Sequence, residues 1–191
     1  MSDGFGGAQR TVSLTLYTDA CIVKGRLTTT HRRISDALNE APDGFLVLSD
    51  ASFDAYRSTA LMQRSEFAQV NLGSVLFVVS DEVVAADPAL ATAKSPEEAF
   101  ISIPPFSVTG RIHVLPERPL AEALGELRGR FIPVTDATHW SESLGEGRIS
   151  APLVAVNHAR CQILAPHHEI DPWAGLPTGE AAEPPAEASG W

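Results

Sequence analysis

Cysteine is scarce in this chain, and its scarcity excludes two kinds of site. Only Cys21 and Cys161 occur among the 191 residues, and they show no C-x-x-C spacing. A disulfide framework and a cysteine-ligated zinc site are therefore not predicted, and both thiols are expected to be free and buried. The chain also lacks an apolar run near the roughly 18 residues that cross a membrane, and its start lacks a secretory signal. We expect a cytoplasmic protein with no membrane partner.

Positive charge and catalytic motifs are also in short supply. The chain has 14 Lys and Arg against 24 Asp and Glu, a formal net charge of −10, so nucleic acid is not expected as a partner. Basic groups cluster at His31, Arg32 and Arg33 and again at Arg128 and Arg130; they could grip a phosphate, but a solvated helix face is the simpler interpretation. The motifs G-x-S-x-G, G-x-G-x-x-G, H-E-x-x-H and the P-loop are all missing, and no cofactor is predicted.

What the chain does contain is an internal repeat, in which residues 12–79 and 99–165 follow one pattern. The matching positions are Gly25–Arg26 with Gly110–Arg111, Phe45 with Phe131, Asp50–Ala51 with Asp136–Ala137, and Val70–Asn71 with Val156–Asn157. The offset is 85 or 86 residues throughout, so the similarity between the two segments is not due to chance. The predicted division is a flexible arm 1–10, a first repeat 11–80, a linker 81–98, a second repeat 99–166 and a tail 167–191. That tail is rich in Ala, Pro, Gly and Glu and is expected to be disordered, with Trp191 at its end.

Hydrophobic periodicity predicts five strands in each repeat. Val12, Leu14 and Leu16 alternate with polar residues as in a half-buried strand. Spacing changes to a helical period at Ile34 and again at Leu120, which predicts a short helix between the second and third strands of each repeat. The expected fold is mainly β.

Three segments carry a resemblance to a known small barrel. "VSLTLYTDACIVKGRL", "FLVLSDA" and "QVNLGSVLFV" resemble strands one and two, strand three, and the corner between strands four and five of Sm-like (Lsm) domains. The pattern "RISDALN … FLVLSDA … VN" is also similar to an uncharacterised bacterial domain family. The resemblance implies two tandem five-stranded open barrels, each with a short helical insertion. RNA-binding residues do not carry over, because Asn71–Leu72–Gly73 and Asn157–His158–Ala159 replace the Arg-Gly corner of the Sm-like family.

Two pairs of equivalent polar residues are candidates for a site at the seam between the repeats. Asp50 and Asp136 could meet and share a proton as a catalytic pair, although a turn-capping role is the simpler interpretation. Asn71 and Asn157 could bind a small ligand at the same seam. A hydrolytic enzyme or small-ligand binder is therefore one alternative function.

A metal site is the remaining candidate. The segment containing His167, His168, Glu169 and Asp171 offers ligands that zinc accepts, with His158 or His139 as a further candidate. They lie where the second repeat gives way to the tail, so a solvated exit is the simpler interpretation.

The function predicted from the sequence is a non-enzymatic protein-interaction or scaffold module that associates with itself. Small open barrels leave unpaired strand edges, and such edges pair with other copies. A protein partner, in the form of a homo-oligomer, is expected. RNA binding through the Sm-like resemblance is the second alternative.

Overall fold

The computed structural model describes residues 8–56, 62–80, 94–116 and 120–167. The first half contains β1 (Arg10–Thr18), β2 (Cys21–Thr29), α1 (Ile34–Asn39), β3 (Phe45–Ala55), β4 (Gln63–Asn71) and β5 (Val75–Ser80). The second half contains β6 (Ser95–Ile103), β7 (Phe106–Val114), α2 (Leu120–Gly125), β8 (Phe131–Ser141), β9 (Glu146–Asn157) and β10 (Ile163–Pro166). Short 3-10 turns, Pro42–Gly44 and His158–Arg160, precede β3 and β10. The chain is mainly β, as the sequence predicts.

All ten strands belong to one antiparallel sheet, in the order β10-β6-β7-β8-β9-β5-β1-β2-β3-β4. The prediction of two separate five-stranded barrels, each with a helical insertion, is therefore wrong. Strand β9 of the second half pairs with β5 of the first half, and this pairing makes the sheet continuous. The two helices are only six residues long each.

The two halves repeat the same strand order within this sheet. In the first half the order is β5-β1-β2-β3-β4, and in the second it is β10-β6-β7-β8-β9. Among the described residues, β4 and β10 each have a neighbouring strand on one side only, so they are the two outer edges of the sheet. The repeated sequence therefore produces a repeated set of strand neighbours.

Two hydrophobic cores form, and each includes side chains from the other half. The first core is built on β1, β3 and α1 but contains Phe131 and Ala155 of the second half. The second core is built on β6, β7 and β8 but contains Tyr17, Leu76 and Phe77 of the first half. Because each core takes side chains from both halves, the halves stabilise one another.

Several sequence predictions concern residues outside the described ranges. These are most of the arm (1–7), most of the linker (81–93) and nearly all of the tail (168–191), including Trp191. Strand β6 begins at Ser95, inside the segment predicted as linker. No helix in the described part of the chain has the length and apolar character needed to span a membrane.

Candidate functional site

The contact between the halves combines a strand ladder, side-chain hydrogen bonds and buried apolar side chains, and we call it the inner junction. Its backbone consists of β9 against β5, and the paired residues are Phe77 with Val156, Val78 with Ala155, Val79 with Val154 and Ser80 with Leu153. Val78, Val154 and Val156 are buried. The ladder therefore lies inside the protein, where apolar burial and backbone hydrogen bonds reinforce each other.

Asn157 connects the two halves at the end of this ladder. Its Nδ2 donates to the carbonyl oxygens of Leu72, at 3.1 Å, and Val75, at 2.8 Å. The residue is 1% exposed, so losing these bonds would leave buried carbonyls unpaired. The structure thus gives Asn157, a ligand candidate from the sequence, a bonding role between the halves.

Phe131 and Asn39 form a second connection at the start of β8. The Phe131 ring is 1% exposed within the first core. Its backbone N–H donates to Asn39 Oδ1 at 2.7 Å, and Asn39 Nδ2 donates to its carbonyl oxygen at 3.0 Å. Because α1 ends at Asn39, this helix positions the amide that holds β8 against the first half.

An aromatic cluster fills the space beside the inner junction. Tyr17 stacks on Phe77 with ring centroids 4.4 Å apart, and both rings lie against Phe106 and against His139, which is contributed by β8. His139 is 1% exposed, and neither ring nitrogen has a hydrogen-bond partner. Burial lowers the pKa of His139 to about 4. The imidazole is therefore neutral at neutral pH and behaves as one more ring in an apolar cluster.

Residues equivalent to those of the inner junction lie at the two outer edges, and there they are exposed. Phe45 is the counterpart of Phe131 and is 39% exposed. Asn71 is the counterpart of Asn157; it is exposed, and its Oδ1 accepts from the Gly73 amide at 2.8 Å. On the other edge, Ile163 is the counterpart of Phe77, because the two residues have the same register relative to the repeat glycine of their own half. Ile163 is 53% exposed. The surfaces that join the halves thus recur at the outer edges, where no described residue covers them as the other half does at the inner junction.

A groove adjoins the exposed Phe45. It has a volume of about 540 Å³ and lies between the end of α1, the end of β2 and the start of β3. Its apolar lining consists of Leu27, Ala37, Ala41, Pro42, Phe45, Leu46 and Val47. We call it the α1 groove. Val47 is exposed within the groove, and Phe67 is exposed outside it on the neighbouring strand β4. This end of the molecule therefore presents several exposed apolar side chains, as interaction sites do.

Asp50 and Asp136 occupy equivalent β-bulges. Each has a φ of 49° and lies opposite a repeat glycine, at the position where the pairing of the second and third strands of its half shifts. Asp50 accepts a hydrogen bond from Arg26, and Asp136 accepts one from Arg111 at 3.0 Å. Four strands separate β3 from β8 in the sheet.

The Gly-Arg and Asp-Ala repeat therefore encodes this bulge. A Cβ atom on Gly25 would lie 2.9 Å from the Leu48 Cβ, and one on Gly110 would lie 2.9 Å from the Ala137 Cα. Only glycine allows the second strand to approach so closely, and aspartate is among the few residues that tolerate the left-handed backbone opposite. Arginine then pairs with that aspartate on the exposed face.

The candidate metal ligands are distributed over different parts of the structure. His167 follows β10 and its amide donates to the Glu98 carbonyl, while His168, Glu169 and Asp171 lie outside the described residues. His139 is in the aromatic cluster, and the His158 amide donates to the Arg130 carbonyl. Within the described residues, no group of three or more His, Cys, Asp or Glu side chains comes together.

The two thiols are free. Cys161 donates to the Asn157 carbonyl at 3.4 Å, and burial raises the pKa of its thiol to about 11. Cys161 is therefore protonated at neutral pH. The thiolate, which is the nucleophile and the metal ligand, is scarcely populated there.

Sequence reasoning missed Asn39, Phe131 and Phe45 as residues of a site. One signal was available in "FLVLS", where apolar residues run continuously instead of alternating. A continuous apolar run is typical of a strand that is covered on both faces. In the structure one face of this run, with Leu46 and Leu48, is buried, while Phe45 and Val47 on the other face are exposed.

The comparisons with known proteins add no relative. No protein-family model matches the chain, and neither a curated protein nor a solved structure matches it.

Proposed function

We propose that this protein is a non-enzymatic interaction module that assembles with further copies of itself through the outer edges of its sheet. One observation carries the proposal. The side chains that join the halves are buried at the inner junction, while their equivalents at the outer edges, Phe45 and Ile163 above all, are exposed. Each outer edge repeats a surface that is bound by the other half at the inner junction. The same kind of binding surface is present on a second copy of the chain, which can therefore bind the exposed edge.

Strand β4 offers backbone hydrogen-bonding groups on its open side. The Leu72 amide donates to the Gly44 carbonyl, and successive residues of an antiparallel strand face opposite neighbours in alternation. By this alternation, the backbone groups of Phe67 and Gln69 point away from β3. An edge of this kind pairs readily with another strand.

The charges that would oppose pairing lie at one end of β4. Arg64 and Glu66 precede the segment 67–70, which is the counterpart of the part of β9 that pairs with β5. Segment 67–70 and strand β10 contain no charged residue. Burying the two segments against each other would therefore desolvate no ion, which avoids the penalty of burying an unpaired charge.

A concentration series tests the proposal. The intact chain is passed through a sizing column with light-scattering detection, from low micromolar to hundreds of micromolar. We expect a mass that rises with concentration. The variant Gln69→Pro removes an outward amide from β4 and should remain a single chain over the same range.

Ser65→Pro is the matched control, because it makes the same change on the same strand but outside the segment 67–70. It should assemble like the unmodified chain, and circular dichroism should show that both variants fold. A single-chain mass for the unmodified protein at every concentration would refute self-association. Equal loss of assembly in both variants would refute the role of the segment.

A further inference from the structure

We infer that assembly is head to tail, and that the α1 groove of one copy receives helix α2 of the next. Phe45 of the first copy then occupies the position that Phe131 occupies within the chain. The inference rests on the proposed function and specifies which surfaces of the two copies meet and in which register.

The contact of α1 with Phe131 is the template. Within the chain, Phe131 is buried in the first core together with Ala37 and Leu38 of α1. Ser35 of α1 is buried as well. The first half thus presents one face of its helix to the incoming phenylalanine of the second half.

Helix α2 presents the equivalent face, and among the described residues that face is less covered than the one on α1. Its residues Ala121 and Leu124 correspond to Ser35 and Leu38, at an offset of 86 residues. Ala121 is exposed and Leu124 is only partly buried, whereas both of their counterparts are buried. The face that is buried in α1 is therefore more exposed in α2.

A phenylalanine equivalent to Phe131 is available at the other end of the molecule. Phe45 lines the α1 groove beside Val47 and begins β3, as Phe131 begins β8. When a second copy contributes α2, the groove is filled and Phe45 loses its contact with water. The exposed face of α2 is apolar at Ala121 and Leu124, and the groove offers it the apolar side chains of Phe45 and Val47 within a lining that also contains polar residues. Burial of these apolar side chains would stabilise the contact.

The inner ladder also fixes the strand register between copies. Translated by one half, the four pairs of the inner junction become Val70 with Ile163, Gln69 with Leu164, Ala68 with Ala165 and Phe67 with Pro166, the second residue of each pair belonging to the next copy. Ala68 and Ala165 correspond to Val154 and Val79. By the alternation described above, these two are a non-hydrogen-bonded pair, in which opposing Cα atoms lie about 4.5 Å apart.

A disulfide between two different variants tests this register. Ala68→Cys and Ala165→Cys are made on separate chains, mixed in equal amounts and oxidised gently. Because the opposed Cα atoms fall within the range that a disulfide spans, we expect a covalent dimer from the mixture and little from either variant alone. Unmodified chains give the background from Cys21 and Cys161.

The off-register control replaces Ala165→Cys by Leu164→Cys, because a slip of one residue turns the side chain to the other face of the sheet. This mixture should give little covalent dimer. Adding Phe45→Ala to the Ala68→Cys chain should weaken association roughly tenfold or more, since a largely buried phenylalanine is lost. The melting temperature of the single chain should change little, because Phe45 is exposed there.

Light scattering on the same samples distinguishes the head-to-tail arrangement from self-association in general. If the chains associate but the mixture forms no specific dimer, or if each variant links mainly to itself, the head-to-tail inference is wrong while self-association stands. An unchanged affinity with Phe45→Ala would overturn the role of the α1 groove. If no sample associates, the proposed function fails as well.

Discussion

At the scale of single residues, the same amino acid has different burial and different hydrogen-bond partners at equivalent positions of the two halves. Phe131 is buried in a core while Phe45 is 39% exposed, and Asn157 bonds two carbonyls while Asn71 caps its own turn. The side chains are identical, so the difference lies entirely in what the neighbouring half provides. The exposed fraction of a side chain in one half therefore shows which contacts its equivalent gains from the neighbouring half.

His139 shows the reverse case, because it is buried while its equivalent in the first half, Phe53, is only partly buried. It lies on β8, and its ring contacts Tyr17 and Phe77 of the first half, with centroids 5.0 Å from each. Burial raises the pKa of Tyr17, so the phenol beside it is neutral at any mild pH. A proton on His139 would have no acceptor among these rings.

This geometry predicts acid sensitivity with a definite sign. The pKa of His139 falls from its ordinary 6.5 to about 4 on folding. Between those values the unfolded chain binds more protons, so stability is lost as pH falls from about 6.5 and the loss levels off below about 4. The loss from this residue totals about 3 kcal/mol.

His139→Phe keeps an aromatic ring but cannot take a proton. Urea unfolding from pH 7.5 to pH 4 should give a shallower fall in the free energy of unfolding for this variant than for the unmodified chain. The carboxylates titrate in both proteins, so the difference between the two curves isolates the histidine. Parallel curves would contradict the prediction.

At the scale of elements, the two helices differ at one informative position. Asn39 ends α1 and bonds the Phe131 backbone twice, whereas Gly125, its equivalent, ends α2 and has no side chain. The head-to-tail contact would therefore lack the amide that holds the inner junction. This contact should be weaker than the one within the chain.

Substitutions at these two positions should have opposite effects. Asn39→Ala leaves the Phe131 amide and carbonyl without their partner and should lower the free energy of unfolding by about 1 to 2 kcal/mol. Gly125→Asn should tighten assembly about fivefold, since one net hydrogen bond is worth about 1 kcal/mol. No atom lies within 4 Å of a Cβ built on Gly125, so the single chain should be little affected.

Chemical denaturation measures the first effect, and light scattering across concentration measures the second. Gly147→Asn is a suitable control for the second, because Gly147 also has open space around its Cβ position but lies in β9, outside the helix. It should leave assembly unchanged. Equal tightening by both variants would show that position 125 has no special role.

The elements also show how far sequence reasoning reached. Periodicity in Val12, Leu14 and Leu16 predicts a strand, and β1 includes all three, because alternation reports directly which face is buried. It does not report which strand lies alongside. The apolar segments 77–80 and 153–156 suit any buried neighbour, so the pairing of β5 with β9 could not be predicted. The candidate site depends on that pairing, and for that reason Asn39 and Phe131 were missed.

At the scale of the whole molecule, the interlocked cores predict a single unfolding unit. Phe131 belongs to the first core, and Tyr17 and Phe77 belong to the second. Removing either half would expose these side chains and open the β9 edge or the β5 edge. Fragments 1–88 and 89–191, produced separately, should therefore be less stable than the intact chain or should associate with each other.

Thermal unfolding followed by circular dichroism tests this prediction, with the two fragments measured alone and mixed. The intact chain should unfold in one transition, and mixing should restore stability that neither fragment has. Two transitions in the intact chain, at the same temperatures as those of the separate fragments, would contradict it. Omitting residues 172–191 should not alter the result, because that segment contains little to bury.

Because the halves are covalently connected, protein concentration should affect the contact within the chain and the contact between chains differently. Two surfaces on one chain meet at an effective concentration on the order of millimolar, whatever the amount of protein present. If the outer edges pair as proposed, they meet only when separate molecules collide, so their occupancy would follow mass action. Scarce protein would then exist as single chains and abundant protein as long arrays. Under the proposed function, the contact within the chain would form at every concentration, whereas the contact between chains would report the protein's own abundance.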